Sequence, residues 1–288
     1  MTTTPKLVIF TDLDGTLLDR DTYSYKPAEP ALRLTRLKNI PLVLASSKTR
    51  SEMEVYRHQL GNEHPFISEN GGAVFIPKTC FSFPVPHTRE LREYFVLELG
   101  IFHPQIMEVL DSVKKETGIP IKGFTDLSAK EISSLSGLSA RESELAKNRE
   151  YDEPFLIEGG EKEVEMVKGR IEAKGMTYVW GGKFHHVLGK NDKGKAVEVL
   201  KELYKTQFFS VLTVGIGDSL NDLPMLTATD RPIFLKEKNN PLPEGLSSVQ
   251  HLTILETTGP EAWNEAVLSL IDEIDPGERR DRCDSSTA

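Results

Sequence analysis

Cysteine is nearly absent: Cys80 and Cys283 are the only two, far apart and in no CxxC pair. That argues against a disulfide framework and makes a reducing compartment the default. Long apolar runs are missing as well. The N-terminal one, Leu7 to Phe10, is too short for a secretory leader and ends in carboxylates. No stretch reaches the ~18 apolar residues that a membrane helix needs, so a cytoplasmic protein with no membrane partner is expected. Positive charge is scarce: 35 Lys and Arg against 44 Asp and Glu give a formal net charge of −9. A surface of that sign repels nucleic acid, which is therefore not expected as a partner. Any anionic ligand must be drawn by local cations. No internal repeat or low-complexity tract occurs, and residues 276–288, polar and aperiodic, read as a disordered tail.

What is present is an ordinary core composition, 38% hydrophobic and 27% charged. Three short, continuously apolar runs, Leu7–Phe10, Pro41–Ala45 and Val211–Gly215, each give way at once to small and polar residues. Buried parallel strands have this form, because helices cover both faces. Helical spacing follows between them, at Glu29–Lys38, Thr49–Leu60 and Gly194–Tyr204, where Val197, Leu200 and Leu203 share a stripe. The alternation predicts a doubly wound α/β sheet. Arg231–Leu235 and Leu252–Leu255 would add edge strands and Pro260–Asp272 a closing helix. The middle differs and reads as an inserted α+β module. The expected division is 1–84 for the first part of the core, 85–188 for the insert, 189–275 for the second part of the core, then the tail.

Chemistry concentrates in four segments. In Phe10–Thr16 (FTDLDGT), Asp12 and Asp14 stand two apart just past a buried strand, where open α/β sheets bind ligands. The bland reading is a strand exit, since Asp and Gly are common turn formers. Two carboxylates so close are unfavourable without a cation, and a hard divalent ion such as Mg2+ suits them. In Gly215–Asp222 (GIGDSLND), Asp218 and Asp222 lie one helical turn apart, with Asn221 between; Asp218 as a helix cap explains this equally well. Ala45–Arg50 (ASSKTR) offers hydroxyls and N–H groups for a phosphate cradle, or merely a helix cap. Lys193, opening a helix in Asn191–Gly194, could reach phosphoryl oxygens, although most lysines are solvated surface.

Taken in order, these segments resemble the haloacid dehalogenase-like phosphatase superfamily: D-x-D-G-T, a strand-end Ser or Thr, a Lys before a helix, then G-D-x-x-N-D. The resemblance implies a Rossmann-like core with a C2-type cap as the insert. It implies catalytic roles for Asp12, Asp14, Ser46 and Lys193. It places Mg2+ on the Asp12 side chain, the Asp14 backbone carbonyl and Asp218, with Asp222 in support. Asp12 would be the nucleophile of an aspartyl-phosphate and Asp14 the acid and then the base. Motif two reads Ser46-Ser47-Lys48 where many relatives have Thr-Gly-Arg.

Further stretches, TDLDGTLLD with TYSY, SSKTRSE, HPFISENGGAVFIP, AKNREYDEPF and GGKFHHVLG, are similar to those of phosphatases of glycosylated 3-phosphoglycerates. The similarity runs from about Leu7 to Asp272. The implied partner is a small phosphorylated sugar acid, mannosyl with glucosyl as the alternative, and the implied product an osmolyte. The protein would be a monomer or homodimer. Ser47, Lys48, Arg50, Gly71, Gly72, Arg149 and Asn221 are the candidate substrate contacts. Surface ion pairing is the alternative for Arg149 and a hairpin turn for the glycines. His185 and His186 read as structural. A phosphomutase, a receiver-like domain and an inactive sugar-phosphate binder compete. Receivers lack a second acid placed like Asp14 and an insert of this size.

Overall fold

The computed structural model describes residues 5–274; Cys283 and the expected tail lie outside them. The strands are β1 (Lys6–Thr11), β2 (Leu42–Ala45), β3 (Phe66–Ser68), β4 (Ala73–Pro77), β5 (Arg89–Glu90), β6 (Tyr94–Glu98), β7 (Ile121–Gly123), β8 (Asp152–Ile157), β9 (Thr177–Trp180), β10 (His185–Leu188), β11 (Val211–Gly217), β12 (Arg231–Leu235) and β13 (Thr253–Leu255). The helices are α1 (Glu29–Leu37), α2 (Arg50–Leu60), α3 (His103–Thr117), α4 (Ala129–Ser136), α5 (Ala140–Ala146), α6 (Glu161–Ala173), α7 (Lys193–Phe208), α8 (Leu223–Ala228) and α9 (Gly259–Ile274). Among the described residues no helix is long and apolar enough to cross a membrane.

The larger sheet has the order β13-β12-β11-β1-β2-β3-β4-β6-β5. It is parallel from β13 to β3 and antiparallel beyond. Alternate residues of β1 feed opposite faces. Leu7 and Ile9 pack with Leu32, Met53 and Trp263 under α1, α2 and α9. Val8 and Phe10 pack with Val197, Leu200 and Met225 under α7 and α8. With both faces covered, the run must be apolar throughout. The doubly wound expectation holds.

The smaller sheet, β7-β8-β10-β9, lies in the insert and carries α3 and α6 on one face, through Ile106, Leu110, Val167 and Ile171. One correction concerns the insert's limits. β5 and β6, read as part of it, hydrogen-bond instead to β4 of the larger sheet. The apolar run of β6, Tyr94–Leu97, marks a strand without saying which sheet it joins. The polar stretch Ser128–Glu150 carries two helices, α4 and α5. Each opens with a Ser capped reciprocally by a Glu three residues on, Ser128/Glu131 and Ser139/Glu142. That S-x-x-E repeat is a readable start signal.

The insert is seated on the core. Tyr23 Oη donates to Ser136 O at 3.1 Å, Thr49 Oγ1 to Leu145 O at 2.9 Å and Arg149 Nη1 to Ser47 O at 2.8 Å. Fully buried Glu69 accepts the backbone N–H of Glu150 at 3.0 Å and of Tyr151 at 2.8 Å. Burial pushes the Glu69 carboxyl up to about 8, against Arg149 and the Tyr151 N–H, which pull it down. The folded chain therefore keeps a proton that the unfolded chain releases near 4.5. This stabilisation is complete below that value and is lost as pH rises through about 8. Glu69→Gln is expected to flatten the melting temperature between pH 5 and 9 and to gain on wild type towards pH 9. Parallel melting curves for the two proteins across that range would contradict it.

Candidate active site

β1 and β11 are parallel neighbours, with Thr11 opposite Ile216, so their carboxyl ends open side by side. Asp12 follows one and Asp218 the other. Asp12, Asp218 and Asp222 each offer a carboxylate oxygen, all within 4.8 Å of one another. Lys193, the first residue of α7 and fully buried, places Nζ 2.6 Å from Asp12 Oδ1 and 2.6 Å from Asp222 Oδ1. The surface reading of this lysine is overturned. Asp192 caps the helix by accepting the Lys195 N–H at 2.8 Å, which turns the Lys193 side chain inward.

The capping role expected of Asp218 falls to its neighbours. Ser219 is the N-cap of a short turn over Leu220–Asp222, and Asp222 Oδ2 reaches back to the N–H groups of Asp218 and Ser219, each at 3.1 Å. The Asp218 carboxylate is thereby left for the Thr16 hydroxyl at 3.3 Å and the Arg20 guanidinium. Arg20 carries no sequence signal; only the turn after Gly15 brings it here.

Charge is unbalanced at this spot. Burial raises the Asp12 carboxyl well above the usual range; Lys193 opposes, while Asp222, Asp218 and Asp14 add to the rise. Asp218 is pushed up to about 7 by burial and by Asp222, against Arg20. For Lys193 burial works against the charge, and Asp12 and Asp222 outweigh it and hold the ammonium above its ordinary value. One buried ammonium and one half-exposed guanidinium face three crowded carboxylates. An all-oxygen donor set short of positive charge fits a hard divalent cation.

Asp14 turns away from that cluster. One oxygen lies 3.0 Å from Lys48 Nζ, and Oδ1 is buried without a hydrogen-bond partner. Lys48 is itself buried between the rings of Tyr23 and Tyr56; burial disfavours its charge, but Asp14 and Glu52 outweigh that. A cavity of about 300 Å³ opens here, with Asp14, Lys48 and Asp218 on the core side and Arg149, Lys183 and His186 on the insert side.

The other expected residues divide. Ser46 follows β2, beside β1; its Oγ accepts the Lys48 N–H at 3.2 Å. Ser47 lines the cavity. Arg149 does too, with Nε on Ala146 O and Nη1 on Ser47 O, both at 2.8 Å, so it is no surface pair. Asn221 Nδ2 donates to Asn70 Oδ1 at 3.2 Å, on the side of a second cavity of about 800 Å³. Three placements correct the sequence reading. Arg50 is paired with Glu150 at 2.9 Å and Glu54 at 3.2 Å on the seam between core and insert, outside the cavity lining. A Cβ on Gly71 would meet Asp192 O at 2.1 Å, and one on Gly72 would meet Tyr151 Cβ at 2.4 Å. Both glycines are there for close packing; the loop is the β3–β4 hairpin, with positive φ at Glu69, Asn70 and Gly71.

A haloacid dehalogenase-like hydrolase family pattern matches residues 9–100. A glucosyl-3-phosphoglycerate/mannosyl-3-phosphoglycerate phosphatase of Methanococcoides burtonii is 48% identical over 92% of this chain and 97% of its own length. A mannosyl-3-phosphoglycerate phosphatase of Pyrococcus furiosus is 36% identical over 84% of this chain and 96% of its own. Among solved structures, a Bacteroides thetaiotaomicron phosphatase of the haloalkanoate (HAD) enzyme superfamily superposes with a TM-score of 0.64. It covers 95% of this chain and 96% of its own at 16% identity, so it speaks for the fold alone. A sheet whose adjacent ends bear this acid set, matched over nearly its whole length by named phosphatases, places the chain in the haloacid dehalogenase-like phosphatase family.

Proposed function

We propose that the protein hydrolyses mannosyl-3-phosphoglycerate to mannosylglycerate and phosphate through an aspartyl-phosphate on Asp12. The observation that carries this is the buried Asp12 carboxylate on Lys193, beside Asp218 and Asp222, with Asp14 facing a cavity two residues on. Asp12 attacks phosphorus as the ester bond to the leaving oxygen breaks, and Asp14, carrying a proton, delivers it to that oxygen. Asp14 then takes a proton from water, which attacks phosphorus and frees Asp12 and phosphate. Lys193 and the Ser46 hydroxyl hold the phosphoryl oxygens as charge spreads over them. Asp12, the Asp14 backbone carbonyl and Asp218, backed by Asp222, would hold Mg2+. Mg2+ supplies the charge that cancels repulsion between carboxylate and phosphate dianion. Lys48 and Arg149, which both line the cavity, would meet the substrate carboxylate. The insert, from α3 through β10, is the cap. The reaction would run in the cytoplasm, where its charged substrate is retained, and would yield an osmolyte.

Phosphate release across glycosyl-phosphoglycerates and hexose phosphates, with Mg2+ and with EDTA, tests the reading; release that survives EDTA contradicts the metal assignment. Asp14→Asn separates the acid's role. In kcat/KM, which reports formation of the aspartyl-phosphate and not its hydrolysis, it is expected to slow the sugar-acid ester by about 10²–10⁴-fold and p-nitrophenyl phosphate far less, because nitrophenolate leaves without a proton. The kcat falls on both through loss of the base. Equal losses in kcat/KM on both esters would refute Asp14 as the acid. A second reading, action on glucosyl-3-phosphoglycerate as well, is favoured by relatives at 48% and 41% identity whose names carry both sugars.

A further inference from the structure

We propose that His186 recognises a hydroxyl of the leaving group, presenting a bare ring nitrogen to the sugar while the cations of the cavity take the anionic groups. This rests on the phosphatase reading above. His186 stands on β10, 6% exposed, in the insert wall of the 300 Å³ cavity that Asp14 and Lys48 line from the core. Its Nδ1 lies 2.8 and 3.1 Å from the two oxygens of Asp152, on the neighbouring strand β8. Asp152 is fully buried and is met by Asn70 Nδ2 at 3.2 Å and Arg149 Nη1 at 3.9 Å. A carboxylate cannot donate, so Nδ1 carries the hydrogen, and in the neutral ring Nε2 is left as an acceptor.

No group among the described residues hydrogen-bonds Nε2, and what faces it is a glycine. A Cβ on Gly181 would stand 2.7 Å from Nε2 and stopper it. A lone pair in this position needs a donor. Carboxylate and phosphate oxygens offer none at neutral pH; hydroxyls do. The ring is also held in register with the reacting end of the site. Asp152 is bonded to Asn70, and Asn70 to Asn221, next to Asp222. A histidine kept only for packing needs neither a free nitrogen nor a glycine in front of it. The sequence by itself reads His186 as structural because Asp152, its partner, is visible only once β8 and β10 pair.

The test compares three esters: the glycosylated 3-phosphoglycerate, plain 3-phosphoglycerate, and p-nitrophenyl phosphate. His186→Phe keeps a ring without the acceptor. It is expected to cut the preference for the glycosylated over the plain ester, as a ratio of kcat/KM, by at least about 20-fold, mostly through KM. Gly181→Ala, which keeps both Asp152 and His186 but whose Cβ cannot stand 2.7 Å from Nε2 without the ring or the loop shifting, is expected to reproduce that loss. His186→Gln, which returns an acceptor near the position of Nε2, is expected to restore most of it. Equal falls on all three esters, or a preference that survives both His186→Phe and Gly181→Ala, would overturn the proposal. Should His186→Phe fail to fold, Gly181→Ala and His186→Gln still decide it. Wild type inactive on every ester defeats the phosphatase reading and this proposal with it, whereas wild-type activity with an intact preference in the variants defeats this proposal alone.

Discussion

Asp12→Asn is expected to fold and to lose at least about 10³-fold in phosphate release on every ester, because an amide does not attack phosphorus at a useful rate. The size of the loss follows from the geometry. Among the described residues no other carboxylate is both held on Lys193 and set at the end of β1. Stability should move the other way. Burial and three neighbouring carboxylates strain the ionised form of Asp12, and a neutral side chain of the same shape removes that strain. Without Mg2+ the variant should melt at or above the wild-type temperature, and added Mg2+ should raise its melting point less. Release near the wild-type rate would refute the nucleophile; a collapse in melting temperature would mean that Asp12 is structural instead.

Lys193→Ala is the second large effect, and it strikes stability and activity together. Removing a fully buried ammonium leaves Asp12 and Asp222 facing each other without their shared counter-ion. Breaking a buried pair in this way costs about 3–5 kcal/mol. For a chain of this size that is roughly 6–20 °C in melting temperature. A divalent cation among the same carboxylates should recover part of it, so the variant should gain more from Mg2+ than wild type does. Phosphate release should stay low with Mg2+ present, since nothing then replaces the ammonium at the phosphoryl oxygens. A melting temperature equal to wild type without metal would show that Lys193 does not neutralise the cluster.

These two residues are not equally legible. Asp12 announces itself: a carboxylate after a continuously apolar strand, with a second two residues on, is a local pattern with a local physical meaning. The same holds for Asp218 and Asp222, and the structure brings all three acids together. Lys193 does not announce itself, because its burial depends on how α7 is capped and which strands lie beneath it. The candidates that missed, Arg50, Gly71 and Gly72, have the right composition and the wrong direction. Arg50 is claimed by Glu54 and Glu150, and the glycines by the backbone of Asp192 and the side chain of Tyr151.

Sequence alone determined the alternation of strands and helices, the strand ends where chemistry gathers, and the excess of carboxylate there that calls for a cation. Each of these is written in residues a few positions apart, through periodicity and like-charge crowding. Tertiary structure decided which sheet β5 and β6 join, that Lys193 is interior, that Arg20 meets Asp218, and that Asp152 turns His186 towards the cavity. Those are pairings between residues distant in the chain. Their partners are chosen by strand register and by the burial of whole elements, which no local pattern encodes.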